Sequence, residues 1–145
     1  MNVDWLKIED TDKIVELYSG DFADGWSKKM LEDAFLTGRF LALGVSDEKQ
    51  LIGVITCSET FFDADIESVF VKKEFRKQGL ASVLISELEK TLIQKKIEKI
   101  FLEVRKGNLP AQNLYKKHGF NKISERKKYY SDLEDAVIMA KEILK

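Results

Sequence analysis

The chain has 145 residues, enough for one ordinary domain that buries about two-thirds of the surface its unfolded form exposes. Its 24 Lys and Arg nearly cancel 25 Asp and Glu, so nothing in the balance points to broad nucleic-acid or anionic-membrane binding, and any cationic site is local. The apolar runs are strand-sized and fall short of the roughly 20 residues a spanning helix needs. With a single cysteine, Cys57, and no charged leader before an apolar run, a cytoplasmic protein is expected.

Val3 to Ile8 alternates weakly and suggests a first strand. Asp10-Thr-Asp12 offers capping oxygens before Ile14, Leu17 and Tyr18, whose spacing fits a short amphipathic helix. Gly20 to Trp26 reads as a turn-rich connection. Ser27 is placed to cap a second helix with Met30, Leu31, Ala34 and Phe35 on one face, and Gly38 to end it. Arg39–Ser46 and Leu51–Ser58 are apolar runs joined by Asp47-Glu-Lys-Gln50, a hairpin by length and composition.

A third strand, Asp65–Val71, leads through a polar turn into the longest helix. From Gly79 onward, Leu80, Val83, Leu84, Leu88 and Leu92 recur at three and four, with Lys90, Lys95 and Lys96 outside the stripe. Strand Lys99–Arg105 turns Ile100, Leu102 and Val104 to one face and Phe101, Glu103 and Arg105 to the other. Asn108 and Pro110 read as a cap and an early helical position, Ala111, Leu114 and Tyr115 as an inner face, and Gly119 as a left-handed stop. Phe120–Tyr130 and Asp135–Glu142 close the chain as a hairpin. Strands alternate with helices in the middle and are hairpin-joined at both ends, which predicts an α/β fold with a mixed, mostly antiparallel central sheet and flanking helices.

The turn Arg76-Lys-Gln-Gly-Leu-Ala81 sits between strand and helix, where backbone N–H groups at a helix start face an anion. It matches neither G-x-x-x-x-G-K-[ST] nor G-x-G-x-x-G. The residues fit two roles equally: a phosphate-holding loop, or a solvated turn whose glycine relieves backbone strain.

With Arg76 before Gly79 and Ala81, the pattern R-x-x-G-x-A resembles the pyrophosphate loop of the GNAT superfamily of N-acetyltransferases. Glu103-Val-Arg-Lys-Gly-Asn108-Leu-Pro-Ala111-Gln-Asn-Leu-Tyr115-Lys-Lys-His-Gly119-Phe120 is similar to that superfamily's E-x-R-x-x-N-x-x-A-x-x-L-Y-x-x-x-G-F run. Arg126-Lys-Lys-Tyr-Tyr130, Glu134-Asp-Ala136, Met139 and Gly25-Trp-Ser27 resemble the branch that acetylates the N-terminal alanine of a ribosomal protein. The sequence departs from that branch at Ser68, Phe70, Lys128 and Ala23-Asp24-Gly25, all toward the acceptor side.

The resemblance implies a single N-acetyltransferase domain over residues 1–145, with acetyl-coenzyme A as donor and direct attack by an amine. Main chain at Val69, Phe70 and Val71 is expected along the pantetheine arm as one more strand. Arg76, Lys77, Gln78, Gly79, Leu80, Ala81 and Ser82 are expected at the pyrophosphate, and Asn108 at the pantetheine or acetyl end, unless it is a plain helix cap. Glu103 is the expected base, its pKa raised by burial beside Phe101; the plainer alternative is a solvated carboxylate paired with Arg105. Tyr115 is the expected acid for the departing thiolate, or else a tyrosine that only packs. Trp26, Tyr129 and Tyr130 are expected along the acceptor groove, unless they are packing aromatics.

His118 and Cys57 read as structural, and no metal ligand set is assigned. The expected partner is a protein N-terminal peptide, possibly from a ribosomal protein, with no nucleic acid or membrane, for a monomer or weak dimer. Rivals are an enzyme of this fold acting on lysine, a polyamine or another small amine, and a catalytically silent acyl-coenzyme A-binding module.

Overall fold

The computed structural model describes residues 1–19, 22 and 24–144. Gly20, Asp21 and Ala23 of the expected turn-rich connection lie outside the described residues, as does Lys145. Strand β1 (Asn2–Trp5) is shorter than expected because the chain turns at Ile8–Asp10. There the Asp10 carboxylate accepts the Lys7 N–H at 2.8 Å, and the Thr11 hydroxyl donates to the Ile8 carbonyl at 2.6 Å. Oxygens expected to cap the first helix therefore close the turn before it.

Helix α1 (Thr11–Tyr18) follows, then α2 (Lys28–Leu36), which Ser27 caps by accepting the Met30 N–H at 3.2 Å. The hairpin of β2 (Phe40–Asp47) and β3 (Gln50–Glu59) stands where composition put it. Next come β4 (Asp63–Val71), α3 (Leu80–Gln94), β5 (Lys99–Arg105), α4 (Leu109–Lys117), β6 (Asn121–Arg126) and β7 (Ala136–Glu142). Gly119, at φ +92°, ends α4 in the left-handed conformation.

The seven strands form one sheet in the order β1-β2-β3-β4-β5-β7-β6. Every pairing is antiparallel except β4 with β5. Helices cover both faces. The stripe Leu84, Leu88 and Leu92 of α3 packs with Ile100, Leu102, Val104, Phe120 and Met139 on one face. On the other, Ile14 and Leu17 of α1 and Leu31 of α2 pack with Phe40, Val54 and Phe70. Among the described residues no helix is long and apolar enough to cross a membrane.

One irregularity shapes the middle of the sheet. Thr56 pairs with Ser68 but Cys57 pairs with Ile66, so Glu67 is an extra residue in β4. A bulge of this kind bends its strand and sharpens the local twist. It also exchanges the faces: Ala64 and Ile66 belong to the α3 side, Phe70 to the α1 side. Pairing between β4 and β5 runs from Asp63↔Lys99 to Ile66↔Leu102 and stops there, one residue before the bulge. Beyond it the two central strands part.

Candidate active site

The parted strands enclose a cleft of about 580 Å³ lined by residues 65–69 of β4 and 101–105 of β5. Lys72 donates its N–H to the Ile52 carbonyl at 2.7 Å, which beyond the bulge sets the hydrogen-bonded pairs of the β3–β4 ladder at Ser68, Phe70 and Lys72. The N–H and C=O of Val69 and the N–H of Val71 therefore face the gap. Across it, Lys106 donates to the Asp135 carbonyl at 3.0 Å, so β5 turns its even positions to β7 and the backbone of Glu103 to the cleft. Two bare strand edges face one another.

Of the three residues expected along the donor arm, Phe70 does not contribute its main chain to the gap. Its N–H and C=O belong to the ladder with Val54, and its ring packs on Phe22 at 5.0 Å. Val71 offers only its N–H, because its carbonyl accepts from Arg76 Nε at 2.7 Å. The Arg76 guanidinium also lies over the Phe70 ring, 5.4 Å from its centroid. It ties the loop to the end of β4.

The loop after β4 carries the clearest anion geometry. Arg76 N–H reaches the Lys73 carbonyl and Val83 N–H the Gly79 carbonyl, but among the described residues no N–H from Lys77 to Ser82 has an acceptor. Lys77 at φ +64° and Gly79 at φ +81° are both left-handed, and these turns bring successive N–H groups to one side at the start of the 15-residue α3. A Cβ built on Gly79 meets nothing within 4 Å, so the space over the loop is open. The chain thus provides a row of free donors with room for a phosphate group.

Helix α4 presents Asn108, Ala111 and Tyr115, spaced by one turn, to the same cleft. The Asn108 side-chain oxygen Oδ1 accepts the Ala111 N–H at 3.2 Å, so this residue caps the helix. The Tyr115 ring is buried against Phe120 at 6.0 Å, and no protein group among the described residues bonds its hydroxyl. Burial pushes the phenol up to about 12, so it keeps its proton at neutral pH.

Glu103 differs from expectation. It is exposed to the cleft and not buried beside Phe101, because β4 has already turned away at that level. Its charged partner is Arg126, whose nearer nitrogen stands 3.8 Å away, and the nearby Glu103 carboxylate raises the Tyr129 phenol pKa. Arg105, the partner sequence suggested, is engaged elsewhere: Nε and Nη2 meet Asp24 at 2.8 and 2.9 Å, and Nη1 meets Asp132 and Glu134. These hydrogen bonds hold the guanidinium protonated.

Tyr129 and Tyr130 line the cleft, with ring centroids 5.1 Å apart. Trp26 does not join them; it packs edge-on against Phe40 at 5.3 Å. Sequence reasoning missed Asp65 and Glu67 in the lining, although carboxylates at Asp63, Asp65 and Glu67 are visible at strand spacing. Burial raises the pKa of both, and the Glu103 charge adds to the shift at Asp65. Phe22, Asp24 and Arg126 were missed too, and no local pattern announces them.

This geometry can be set beside known proteins. A [ribosomal protein bS18]-alanine N-acetyltransferase of Haemophilus ducreyi is 32% identical over 136 residues, 91% of this chain and 93% of its own. An N-alpha-acetyltransferase of Saccharolobus solfataricus is 36% identical over 99 residues, covering 68% of this chain and 56% of its own. The crystal structure of the ribosomal-protein-S18-alanine N-acetyltransferase from Escherichia coli superposes with a TM-score of 0.92 at 26% identity, over 99% of this chain and 94% of that one. The sequence model of the Acetyltransferase (GNAT) family matches residues 11–120, and with a free N–H row, two bare strand edges and a shared cleft in the same span, the chain belongs to that family.

Proposed function

We propose that this chain is one N-acetyltransferase domain that moves an acetyl group from acetyl-coenzyme A to the α-amine of a protein N-terminus, a ribosomal protein's alanine before others. One observation carries the reading: the bare backbone edges of β4 and β5 face each other across a cleft that also holds the Glu103 carboxylate and the Tyr115 phenol. Acetyl-coenzyme A supplies an acetyl group activated as a thioester. The N–H groups of Lys77 to Ser82 suit its pyrophosphate, the backbone of Val69 and Val71 suits the amides of its pantetheine arm, and the Asn108 amide, in the cleft lining, suits the pantetheine or acetyl end.

Glu103 is the base in this reading. An α-amine loses its proton near pH 7.7 to 8.0 and a lysine near 10.4, so an open carboxylate suffices for the first and falls short for the second. Tyr115 holds a proton at its hydroxyl and delivers it to the departing thiolate. Asp65 and Glu67 join Glu103 in making this side of the cleft acidic, which favours a cationic amine over a neutral nucleophile. Tyr129 and Tyr130 line the way in for the acceptor peptide. Both named relatives act on α-amines by their names, which supports the choice of acceptor. The reading places the enzyme in the cytoplasm as a monomer or weak dimer, with no nucleic-acid or membrane partner.

The test is incubation with labelled acetyl-coenzyme A and a panel of N-terminal peptides, lysine peptides with blocked termini, and polyamines. Label on the α-amine of an N-terminal alanine is the expected result. Label on lysine or polyamine alone moves the activity to the other amines, and cofactor binding without thiol release to any of them makes the chain a silent binding module.

A further inference from the structure

Arg105 is unexplained by the chemistry above, yet it carries the densest polar network among the described residues. It ends β5 two residues after Glu103, on the same face by strand alternation. Its Nε and Nη2 grip both oxygens of Asp24 in the bidentate fork that only a guanidinium can make. Nη1 bonds Asp132 at 2.8 Å and Glu134 at 3.0 Å, and the planar group lies 4.2 Å over the centre of the Tyr130 ring.

These partners come from distant parts of the chain. Asp24 precedes α2, 81 residues before Arg105, whereas Asp132 and Glu134 belong to the connection between β6 and β7. Among the described residues no other hydrogen bond joins those two connections. The second Glu134 oxygen accepts the Gly107 N–H at 2.8 Å, and a Cβ at Gly107 would stand 2.7 Å from it, so the turn into α4 is held by the same carboxylate. Tyr130 N–H reaches the Glu134 carbonyl at 3.2 Å, and its ring meets that of Tyr129 edge-on at 5.1 Å. None of residues 69–82 takes part.

We infer that Arg105 is a positioning residue: it draws the connections bearing Asp24 and Tyr129-Tyr130 together at one rim of the cleft, and so sets acceptor affinity while leaving donor affinity alone. Without it, three carboxylates face one another with no cation between them, and mutual repulsion opens the rim. Lysine keeps the charge but has no fork to bridge both connections. The inference rests on the acceptor side assigned under Proposed function.

The experiment measures four quantities for Arg105→Gln, Arg105→Lys, Asp24→Asn and the Arg105→Gln/Asp24→Asn double variant: acetyl-coenzyme A Kd, alanine-peptide KM, kcat and Tm. Expected for Arg105→Gln is a rise in peptide KM of about 10-fold, the scale of one lost hydrogen bond to a charged group, with donor Kd unchanged. Arg105→Lys should recover part of it. Asp24→Asn should raise KM less, and the double variant should be no worse than Arg105→Gln, because both act through one contact.

Peptide binding by calorimetry, with desulfo-coenzyme A present so that no transfer occurs, separates this inference from the reading beneath it. A wild-type chain that binds peptide without acetylating it overturns the transferase reading, and Arg105 is then judged by peptide Kd. Unchanged peptide affinity in both Arg105 variants, donor Kd rising in step, or additive losses in the double variant would each overturn the inference.

Discussion

Glu103 and Tyr115 reach the cleft from opposite sides of the sheet. Glu103 projects from the α1 face of β5, and Tyr115 belongs to the core under α4. The parting of β4 and β5 is what opens both to one cleft, and on the proposed reading the two are expected to fail in different ways. Glu103→Gln keeps the shape and removes the proposed base, so the rate should fall by about 10² to 10⁴ and recover as pH rises and free amine accumulates. Tyr115→Phe should lower kcat at every pH with donor Kd unchanged, because the thiolate still lacks a proton. Recovery of both variants at high pH would remove the acid role. Strand alternation was enough to put Glu103 on the right face, but its exposure was not legible, since that depends on β4 leaving its side. Arg105 was visible only as a motif position. Its three carboxylate partners lie 27 to 81 residues away, where no periodicity connects them.

Among the elements, the bulge and the loop before α3 do most to make the site. The loop was legible as strand, basic turn, glycine and apolar stripe. The bulge was not, because Ile66, Ser68 and Phe70 keep the spacing of an unbroken strand, and only the pairing with β3 exposes Glu67 as extra. Ser68 lands beneath it, bonded to the Thr56 hydroxyl at 2.6 Å and the Tyr18 hydroxyl at 3.0 Å in a buried trio. In the loop, Gly79→Val puts a β-branched side chain at φ +81°, so acetyl-coenzyme A Kd should rise about 10-fold or more while the fold persists. Normal binding by that variant would remove the loop assignment.

The C-terminal end of α4 is linked to the same loop, since His118 Nε2 meets the Ser82 hydroxyl at 3.0 Å. Burial first, then Lys141 and Lys117, lower the His118 pKa, with Glu89 opposing them. The unfolded chain therefore takes up this proton first as pH falls. The stability due to neutral His118 is complete above about pH 6.5 and lost as pH falls from there toward the lower folded value. Tm of wild type should drop between about pH 7 and 5 more steeply than that of His118→Gln, which keeps a nitrogen near the Nε2 position. Parallel curves would remove the coupling.

Taken whole, the molecule is electrically divided across its cleft. Free N–H groups at the start of α3 favour an anion at one end, while Asp65, Glu67 and Glu103 favour a cation in the middle. Near-zero net charge could not reveal this division, and although the fold class was readable from hairpins at both ends and helices between, the place of β7 between β5 and β6 was not. Peptide KM should rise with ionic strength between about 50 and 300 mM salt, and an acceptor with Asp in its second position should bind more weakly than its Ser counterpart. Indifference of KM to both would show that the carboxylates do not act on the acceptor.

Among the described residues the N–H and C=O of Val69, the N–H of Val71 and the backbone of Glu103 have no strand partner across the gap between β4 and β5, so the hydrogen-bond ladder is interrupted at the centre of the sheet. A donor that lies along β4 completes that ladder from outside. Folding and cofactor binding are then one linked equilibrium: at 100 times Kd, acetyl-coenzyme A should add about 2.7 kcal/mol to stability. Hydrogen exchange should slow first in β4 and β5, far from the solvent edges β1 and β6, making the enzyme's most central strands its most ligand-dependent ones.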